Sequence, residues 1–227
     1  METIAALAHG RWFGALPLSL RAALVAAGRE RRLDPGQWVY GEGDDETGLV
    51  GVIHGVLRLE VSAGPERDIL LGLIGEGQVI GQSRRFGGGA RIVTARAQGA
   101  ARVLLIPDAA LPAIAAREPD LWPAVVALLY DQLAAAVHGA ALALALPPRA
   151  RIAARLAELA DAQGQVRVTQ SDVAELAGLS RKSANGHLRA LAALGLITLG
   201  YGMIRVHDAG RLRALAGLGP ASQAAGT

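Results

Sequence analysis

Residues 169–195 read TQSDVAELAGLSRKSANGHLRALAALG, and this stretch decides the fold of the C-terminal third of the chain. Thr169 and Asp172 have the spacing of a capping box, in which a hydroxyl and a carboxylate each accept a backbone N–H at the start of a helix. The helix that they open is expected to break at Gly178, and Ser180 is suited to cap the next helix, which runs to Leu194. Two short helices joined by a turn that contains glycine are typical of a helix-turn-helix.

The segments on either side complete this small module. Residues 149–162 have an apolar face at helical spacing, and residues 166–168 have the composition of a short strand. Residues 196–199 and 203–206 flank Gly200-Tyr201-Gly202 and predict a β-hairpin. The C-terminal third is therefore predicted to be a winged helix-turn-helix.

Helical spacing places the hydrogen-bond donors of the second helix on its outer face. Arginine matches guanine edges and asparagine matches adenine, while hydroxyl, amide and backbone N–H groups contact phosphates. We therefore expect the module to bind DNA through Thr169, Gln170, Ser171, Arg181, Lys182, Ser183, Asn185 and Arg189. The alternative is a module whose solvated basic face contacts a protein.

The charge distribution supports a polyanionic partner for this third. The chain has 227 residues and a net charge of +3. Residues 1–148 carry 13 basic and 15 acidic side chains, whereas residues 149–227 carry 10 basic and 5 acidic ones. A basic module beside a mildly acidic one favours nucleic acid as the partner of the former.

The composition excludes several classes of chemistry. The chain contains no cysteine, which excludes disulfides, cysteine-ligated zinc, iron–sulfur clusters and a thiol nucleophile. Its motifs include no nucleophile–base pair, metal-ligand cluster or Walker-type loop, so we expect no enzyme. The first residues lack the basic start and long apolar run of a secretory signal, which predicts a cytoplasmic protein.

Short apolar runs punctuated by glycine fill residues 33–106. Runs of four to six residues with turn signals between them predict strands. About eight strands at this spacing predict a small antiparallel β-barrel or jelly roll. A short helix, Leu18 to Ala27, is expected before it.

A long apolar helix is predicted over residues 119–146, because Pro147-Pro148 end a stretch that carries few polar residues. Asp131, Gln132 and His138 interrupt it, which disfavours a membrane span. The predicted contact with a second copy of the chain is a stripe at steps of three and four, formed by Val126, Leu129, Leu133, Ala136 and Ala140.

Three segments carry a resemblance to a known family: residues 33–44 (LDPGQWVYGEGD), 55–59 (GVLRL) and 75–81 (GEGQVIG). They resemble the effector domain of the Crp–Fnr family of transcription regulators, and residues 177–197 resemble the DNA-reading segment of that family. The resemblance implies an α+β fold with a cyclic-nucleotide-binding-like antiparallel β-barrel (jelly roll), a long dimerisation helix and a C-terminal winged helix-turn-helix. The implied domains are residues 1–116, 117–147 and 148–217, followed by a flexible tail at 218–227.

The resemblance also locates a candidate effector pocket. Cyclic-nucleotide members of the family hold the phosphate in a cassette that starts with glycine and glutamate and ends with arginine and a hydroxyl residue. Gly81 and Arg91 match that cassette, whereas Gln82 and Ile92 replace the glutamate and the hydroxyl residue. The adenine-contacting positions of the long helix fall on Ala136 and Val137, whose side chains cannot hydrogen-bond a base. The candidate pocket, which also includes Ser83, is therefore expected not to take cyclic AMP, and a flexible loop with solvated arginines is the alternative.

In the DNA-reading helix, Arg181 matches the family pattern, but Lys182 stands where a glutamate is usual and Gly186 where a second arginine is usual. The resemblance implies a homodimer bound to double-stranded DNA at a near-palindromic site. RNA polymerase and a small-molecule or nucleotide effector are further partners to be considered, and no membrane is expected. The alternative function is a ligand-binding or scaffold dimer whose basic module contacts protein.

Overall fold

The computed structural model describes residues 2–64, 68–86, 88–161 and 163–219. The chain forms two compact units, Met1–Ala136 and Val137–Thr227. The boundary between them lies inside the long helix Leu121–Ala145, so this helix contributes residues to both units.

The N-terminal unit begins with three helices, α1 (Glu2–Ala8), α2 (Arg11–Ala15) and α3 (Leu18–Ala27). The strands that follow are β1 (Arg29–Leu33), β2 (Trp38–Tyr40), β3 (Gly48–His54), β4 (Leu57–Ser62), β5 (Asp68–Ile74), β6 (Val79–Gln82), β7 (Thr94–Ala97) and β8 (Ala101–Pro107). Short 3-10 turns lie at Arg84–Phe86 and Asp108–Ala110, before α4 (Leu111–Ala115) and α5 (Leu121–Ala145). Of the three opening helices, the sequence predicted only α3.

The strands form two four-stranded antiparallel sheets, as the sequence predicted for a jelly roll. The first sheet has the order β1-β8-β3-β6 and the second the order β2-β7-β4-β5. In the first sheet, Val50 of β3 pairs with Ile80 on one side and with Leu105 on the other. Strands β3, β6 and β8 are thus adjacent in the sheet although they are distant in sequence, which is how a jelly roll brings distant turns together.

Two apolar cores hold the N-terminal unit together. One lies between the sheets and includes Val52 and Val103 of the first sheet and Leu57 and Ala95 of the second. The other joins the opposite face of the first sheet to the helices, including Leu121, Val125 and Leu128 of α5. Because β3 contributes to both cores, its sequence is apolar without alternation.

The C-terminal unit contains the predicted winged helix-turn-helix. Its elements are α6 (Pro148–Leu159), β9 (Gln165–Val166), α7 (Gln170–Leu176), α8 (Arg181–Ala193), β10 (Ile197–Leu199), β11 (Ile204–Val206) and α9 (Ala209–Leu215). The helix predicted over 149–162 ends at Leu159, where the backbone becomes extended at Ala160. The sequence did not predict α9, whose first turn is capped by the Asp208 side chain accepting the Arg211 N–H. Of the predicted tail, residues 220–227 lie outside the described residues.

The turn between α7 and α8 has the predicted chemistry. The Thr169 and Asp172 side chains form the capping box at the start of α7, and Ser180 accepts the Ser183 N–H at the start of α8. Gly178 has a φ of +62°, which favours glycine, and its N–H donates to the carbonyl of Glu175. Because the Leu179 N–H also donates to the carbonyl of Ala174, the end of α7 is a Schellman motif.

Candidate nucleic-acid interface and effector cassette

One face of α8 is buried in the C-terminal unit and the other is exposed. Ala184, Leu188 and Leu191 have no exposed surface. Lys182, Gly186 and Arg189 are exposed on the opposite side, and Arg181 and Ser183 are exposed in the first turn of the helix. Within the described part of the chain, Arg181, Lys182 and Arg189 form no ion pair, so their charges are available to an anionic partner.

Of the other predicted DNA contacts, Thr169 is exposed, whereas Gln170, Ser171 and Asn185 are half-buried. Asn185 is half-buried, and its Oδ1 is buried with no hydrogen-bond partner among the described residues. The Thr169 hydroxyl donates to Asp172 Oδ2 over 2.8 Å and accepts the Asp172 N–H over 3.1 Å, so it serves the helix cap. Gln170 and Ser171 are half-buried in the first turn of α7.

The wing adds a residue that sequence reasoning missed. Strands β10 and β11 pair in register, with Thr198 opposite Arg205. Tyr201 lies at the tip between them and is fully exposed. The sequence did carry a signal for this residue, because an aromatic side chain between two glycines at the tip of a predicted hairpin has no core in which it could be buried.

In the N-terminal unit, the arginine of the cassette points into the protein. Arg91 is only 7% exposed, and its guanidinium lies over the Tyr40 ring at 3.9 Å from the centroid. Its Nε donates to the carbonyl of Glu46 over 2.9 Å and its Nη1 donates to the carbonyl of Gly48 over 3.2 Å. Burial lowers the pKa of Arg91, which the negative charges of Asp44, Asp108 and Glu46 oppose. Arg91 is thus bound to the protein's own carbonyl oxygens.

The side chain at the glutamate position is also engaged within the loop. Gln82 Nε2 donates to the carbonyl oxygens of Gly89 and Ala90 over 2.7 and 2.8 Å. Its amide nitrogen therefore ties the start of the cassette to its end. Ile92 is 74% exposed, and Ser83 is buried with its hydroxyl accepting the Arg85 N–H.

Two contacts join the cassette to α5, and neither was predicted from the sequence. The Gln132 amide accepts the Gly81 N–H over 3.2 Å and donates to the Gly81 carbonyl over 3.1 Å. The Arg85 guanidinium lies 4.8 Å from the centre of the Trp122 ring. The signal for the first was a glutamine inside an otherwise apolar helix. The alternative of a loop with solvated arginines does not describe Arg91, which is buried, whereas Arg85 and Arg84, which pairs with Asp45, are both exposed.

The predicted contact stripe on α5 is exposed except at Leu129. Leu129 packs half-buried against the helix-facing core of its own unit, because it lies beside the row of Leu121, Val125 and Leu128. The other predicted stripe residues, Val126, Leu133, Ala136 and Ala140, are exposed. Large apolar side chains that the prediction omitted are exposed beside them, namely Tyr130, Val137 and Leu144. Ala136 and Val137, the candidate pocket positions on α5, are therefore both open on the surface of the chain.

By length and composition alone, α5 could cross a membrane. A single helix of this kind does not define a membrane protein. Two of its polar residues have partners in the N-terminal unit, since Asp131 pairs with Arg11 at 2.6 Å and Gln132 bonds to Gly81. Over the described ranges, no group of three or more histidine and acidic side chains could hold a metal ion.

Comparisons with known families match both units. Residues 30–118 match the family model for a cyclic nucleotide-binding domain, and residues 150–215 match that for a Crp-like helix-turn-helix domain. Together these matches cover more than half of the chain. No curated protein matches the chain in sequence.

Solved structures with the same fold cover nearly the whole chain. FixK2 from Bradyrhizobium japonicum superimposes with a TM-score of 0.75 at 20% identity, over 83% of this chain and 96% of that one. The c-di-GMP-responsive global regulator CLP from Xanthomonas campestris gives 0.69 at 24% identity, over 85% and 100%. The catabolite activator protein of Thermus thermophilus gives 0.52 at 26% identity, over 90% and 97%.

A jelly roll of the cyclic-nucleotide-binding type followed by a Crp-like helix-turn-helix defines a class, the DNA-binding transcription regulators with a sensor-like domain. The chain belongs to the Crp–Fnr family within that class. As the sequence predicted, it is a regulator rather than an enzyme.

Proposed function

We propose that the protein is a homodimeric, sequence-specific transcription regulator whose activity does not depend on cyclic AMP. The observation that carries this proposal is the division of α8 into a face of buried leucines and a face of exposed cations without ion pairs in the described chain. Such a helix can enter the major groove with its cations toward the DNA.

The exposed face of α5 supports the homodimer. Val126, Tyr130, Leu133, Val137, Ala140 and Leu144 follow one another at steps of four, three, four, three and four residues. This is the spacing of a coiled-coil seam, which buries its apolar side chains against an equivalent helix. Leu133 and Val137 are 59% and 62% exposed in the single chain, so a second copy would remove a continuous apolar strip from water. In this proposal, residues 117–147 serve as the dimerisation helix and hinge.

A two-fold pair of recognition helices fits a near-palindromic DNA site. Half-sites read by such a dimer lie about one helical turn apart, roughly 34 Å. The basic excess of residues 149–227 favours this duplex as the partner. In this proposal the protein acts in the cytoplasm, with RNA polymerase as a further partner. An effector that biased the junction between residues 139 and 148 would act by shifting the population of two orientations.

The cassette geometry supports independence from cyclic AMP. A phosphate ligand would have to draw Arg91 away from the carbonyl oxygens of Glu46 and Gly48 and from the Tyr40 ring. Gln82 supplies no carboxylate for a ribose hydroxyl, and Ile92 supplies no hydroxyl for a phosphate. We expect titration calorimetry with cyclic AMP to give no binding heat, whereas micromolar binding that tightens DNA affinity would overturn this part of the proposal.

The DNA-binding proposal is tested by fluorescence anisotropy on duplexes selected from genomic fragments. We expect Arg181→Ala and Lys182→Ala each to weaken binding about 5- to 100-fold, the range for a lost base or phosphate contact. Arg117→Ala is the matched control, because it removes one exposed cation from the N-terminal unit. Equal binding by all three variants would remove Arg181 and Lys182 from the interface, whereas a wild-type protein that selects no duplex would favour the scaffold dimer whose basic module contacts protein.

A further inference from the structure

Gly186 lies in the middle of α8, at a place where the fold does not require glycine. A Cβ atom built on Gly186 meets no atom within 4 Å. Gly186 lies within the regular helix Arg181–Ala193, and its φ is not positive, so its backbone conformation is one that any residue can adopt. Glycine inside a helix is less favourable than alanine. Neither packing nor backbone conformation in the C-terminal unit explains this residue.

The position of Gly186 on the helix surface is more informative. Lys182 precedes it by four residues and Arg189 follows it by three, so the three share one stripe of the helix. All three are exposed, and the two cations form no ion pair within the chain that the structure describes. Because Gly186 has no side chain, the backbone of α8 is exposed to solvent between the long side chains of Lys182 and Arg189.

We propose that Gly186 is a positioning residue that lets the edges of the base pairs approach the backbone of α8 more closely than a side chain would allow. This inference rests on the proposed function, since it requires α8 to lie in the major groove. Glycine is the residue that permits close approach of a backbone to a ligand. With Lys182 and Arg189 reaching to either side, the closeness at Gly186 sets the depth of α8 in the groove, and hence which base edges those two cations reach.

The proposal makes Gly186→Ala act in opposite directions on stability and on DNA binding. In the free protein the added methyl group has open space and a better helix propensity, so the melting temperature should rise by about 2–4 °C. In the complex the same methyl group holds the duplex away. We expect at least a tenfold loss of affinity for the duplex selected by the wild-type protein, but less than a twofold change for a scrambled duplex of equal length.

A size series and a matched control complete the experiment. Gly186→Ser and Gly186→Leu should lose progressively more affinity for the selected duplex. Gly99→Ala adds the same methyl group in the N-terminal unit, outside the cassette and at a place where the Cβ also meets nothing within 4 Å, and should leave DNA affinity unchanged. Anisotropy titrations at one fixed salt concentration provide the affinities, and thermal melts confirm that each variant is folded.

The outcomes separate this inference from the proposed function. If the wild-type protein binds the selected duplex and Gly186→Ala binds it equally well, the proposal of a close approach at Gly186 is overturned, but the proposal of DNA binding is not. If Gly186→Ala loses affinity equally for the selected and scrambled duplexes, Gly186 has no part in reading sequence and the inference is overturned. If the wild-type protein binds no duplex, both fail.

Discussion

The guanidinium of Arg91 lies over the ring of Tyr40, with 3.9 Å between the guanidinium carbon and the ring centroid. Burial raises the pKa of the Tyr40 hydroxyl, against the effect of the Arg91 charge, so the ring stays neutral and available to the cation. The residue that matches a phosphate ligand in the family is thus held by contacts within the jelly roll in this structure.

We therefore predict that Arg91→Ala destabilises the N-terminal unit. It leaves the carbonyl oxygens of Glu46 and Gly48 without their donor and removes the cation–π contact, so the free energy of unfolding should fall by about 2–3 kcal/mol. All three tryptophans, Trp12, Trp38 and Trp122, belong to this unit, so their fluorescence in a urea titration reports its unfolding. An unchanged urea midpoint would show that the inward contacts of Arg91 are dispensable.

Glu60 should make the stability of the same unit depend on pH. Burial by itself raises the pKa of Glu60, but hydrogen bonds and charge from Arg58 and Arg96, at 2.8 and 2.7 Å, lower it overall below 4.5. A carboxyl group with a lowered pKa contributes stability above its unfolded pKa, and that contribution is lost as the pH falls through its folded pKa. The urea midpoint of the wild-type protein should decline below about pH 4.5 more steeply than that of Glu60→Gln. Parallel declines would contradict this role.

The capping box of α7 should contribute measurably to the C-terminal unit. Thr169→Ala removes the oxygen that accepts the Asp172 N–H and the hydroxyl that donates to Asp172, which is buried. We expect a loss of about 1–2 kcal/mol in the free energy of unfolding, seen by calorimetry. Thr169→Ser, which keeps the hydroxyl, serves as the control and should retain most of the stability. Equal stability of the alanine and serine variants would rule out the cap as the reason for Thr169.

The apolar stripe of α5 should determine the oligomeric state. A charge at Leu133 would be buried in the proposed seam, so Leu133→Glu should convert the proposed dimer into a single chain of 23.4 kDa in analytical ultracentrifugation. Ala135→Glu places the same charge on an exposed residue at the other side of the helix and should leave the dimer intact. A Leu133→Glu variant that remains dimeric would place the interface elsewhere.

Structural features that depend only on neighbouring residues could be predicted from the sequence. The Thr169 and Asp172 spacing, the Gly178 turn and the 197–206 hairpin depend on neighbouring residues, and each is present. The glycine-punctuated runs of residues 33–106 likewise predicted about eight strands, although β1 (Arg29–Leu33) begins before them. The very short helices α2 and α4 have too few residues for an apolar period to show.

Structural features that depend on contacts between distant residues could not be predicted from the sequence. The direction of Arg91 depends on Tyr40, Glu46 and Gly48 converging from another part of the chain. Leu129 fits the predicted stripe by spacing, but its side chain packs partly against the core that contains Leu128. Which face of α5 stays exposed is set by the packing of the N-terminal unit, and the helix sequence, apolar all round, does not determine it.

The central claim, that two copies of α8 read one DNA duplex together, is tested most directly by hydroxyl-radical footprinting of the wild-type protein on a selected genomic fragment. The account predicts two protected half-sites related by approximate two-fold symmetry, with centres about one helical turn apart. A single protected segment without symmetry, or no protection at any salt concentration that leaves the protein folded, would contradict it.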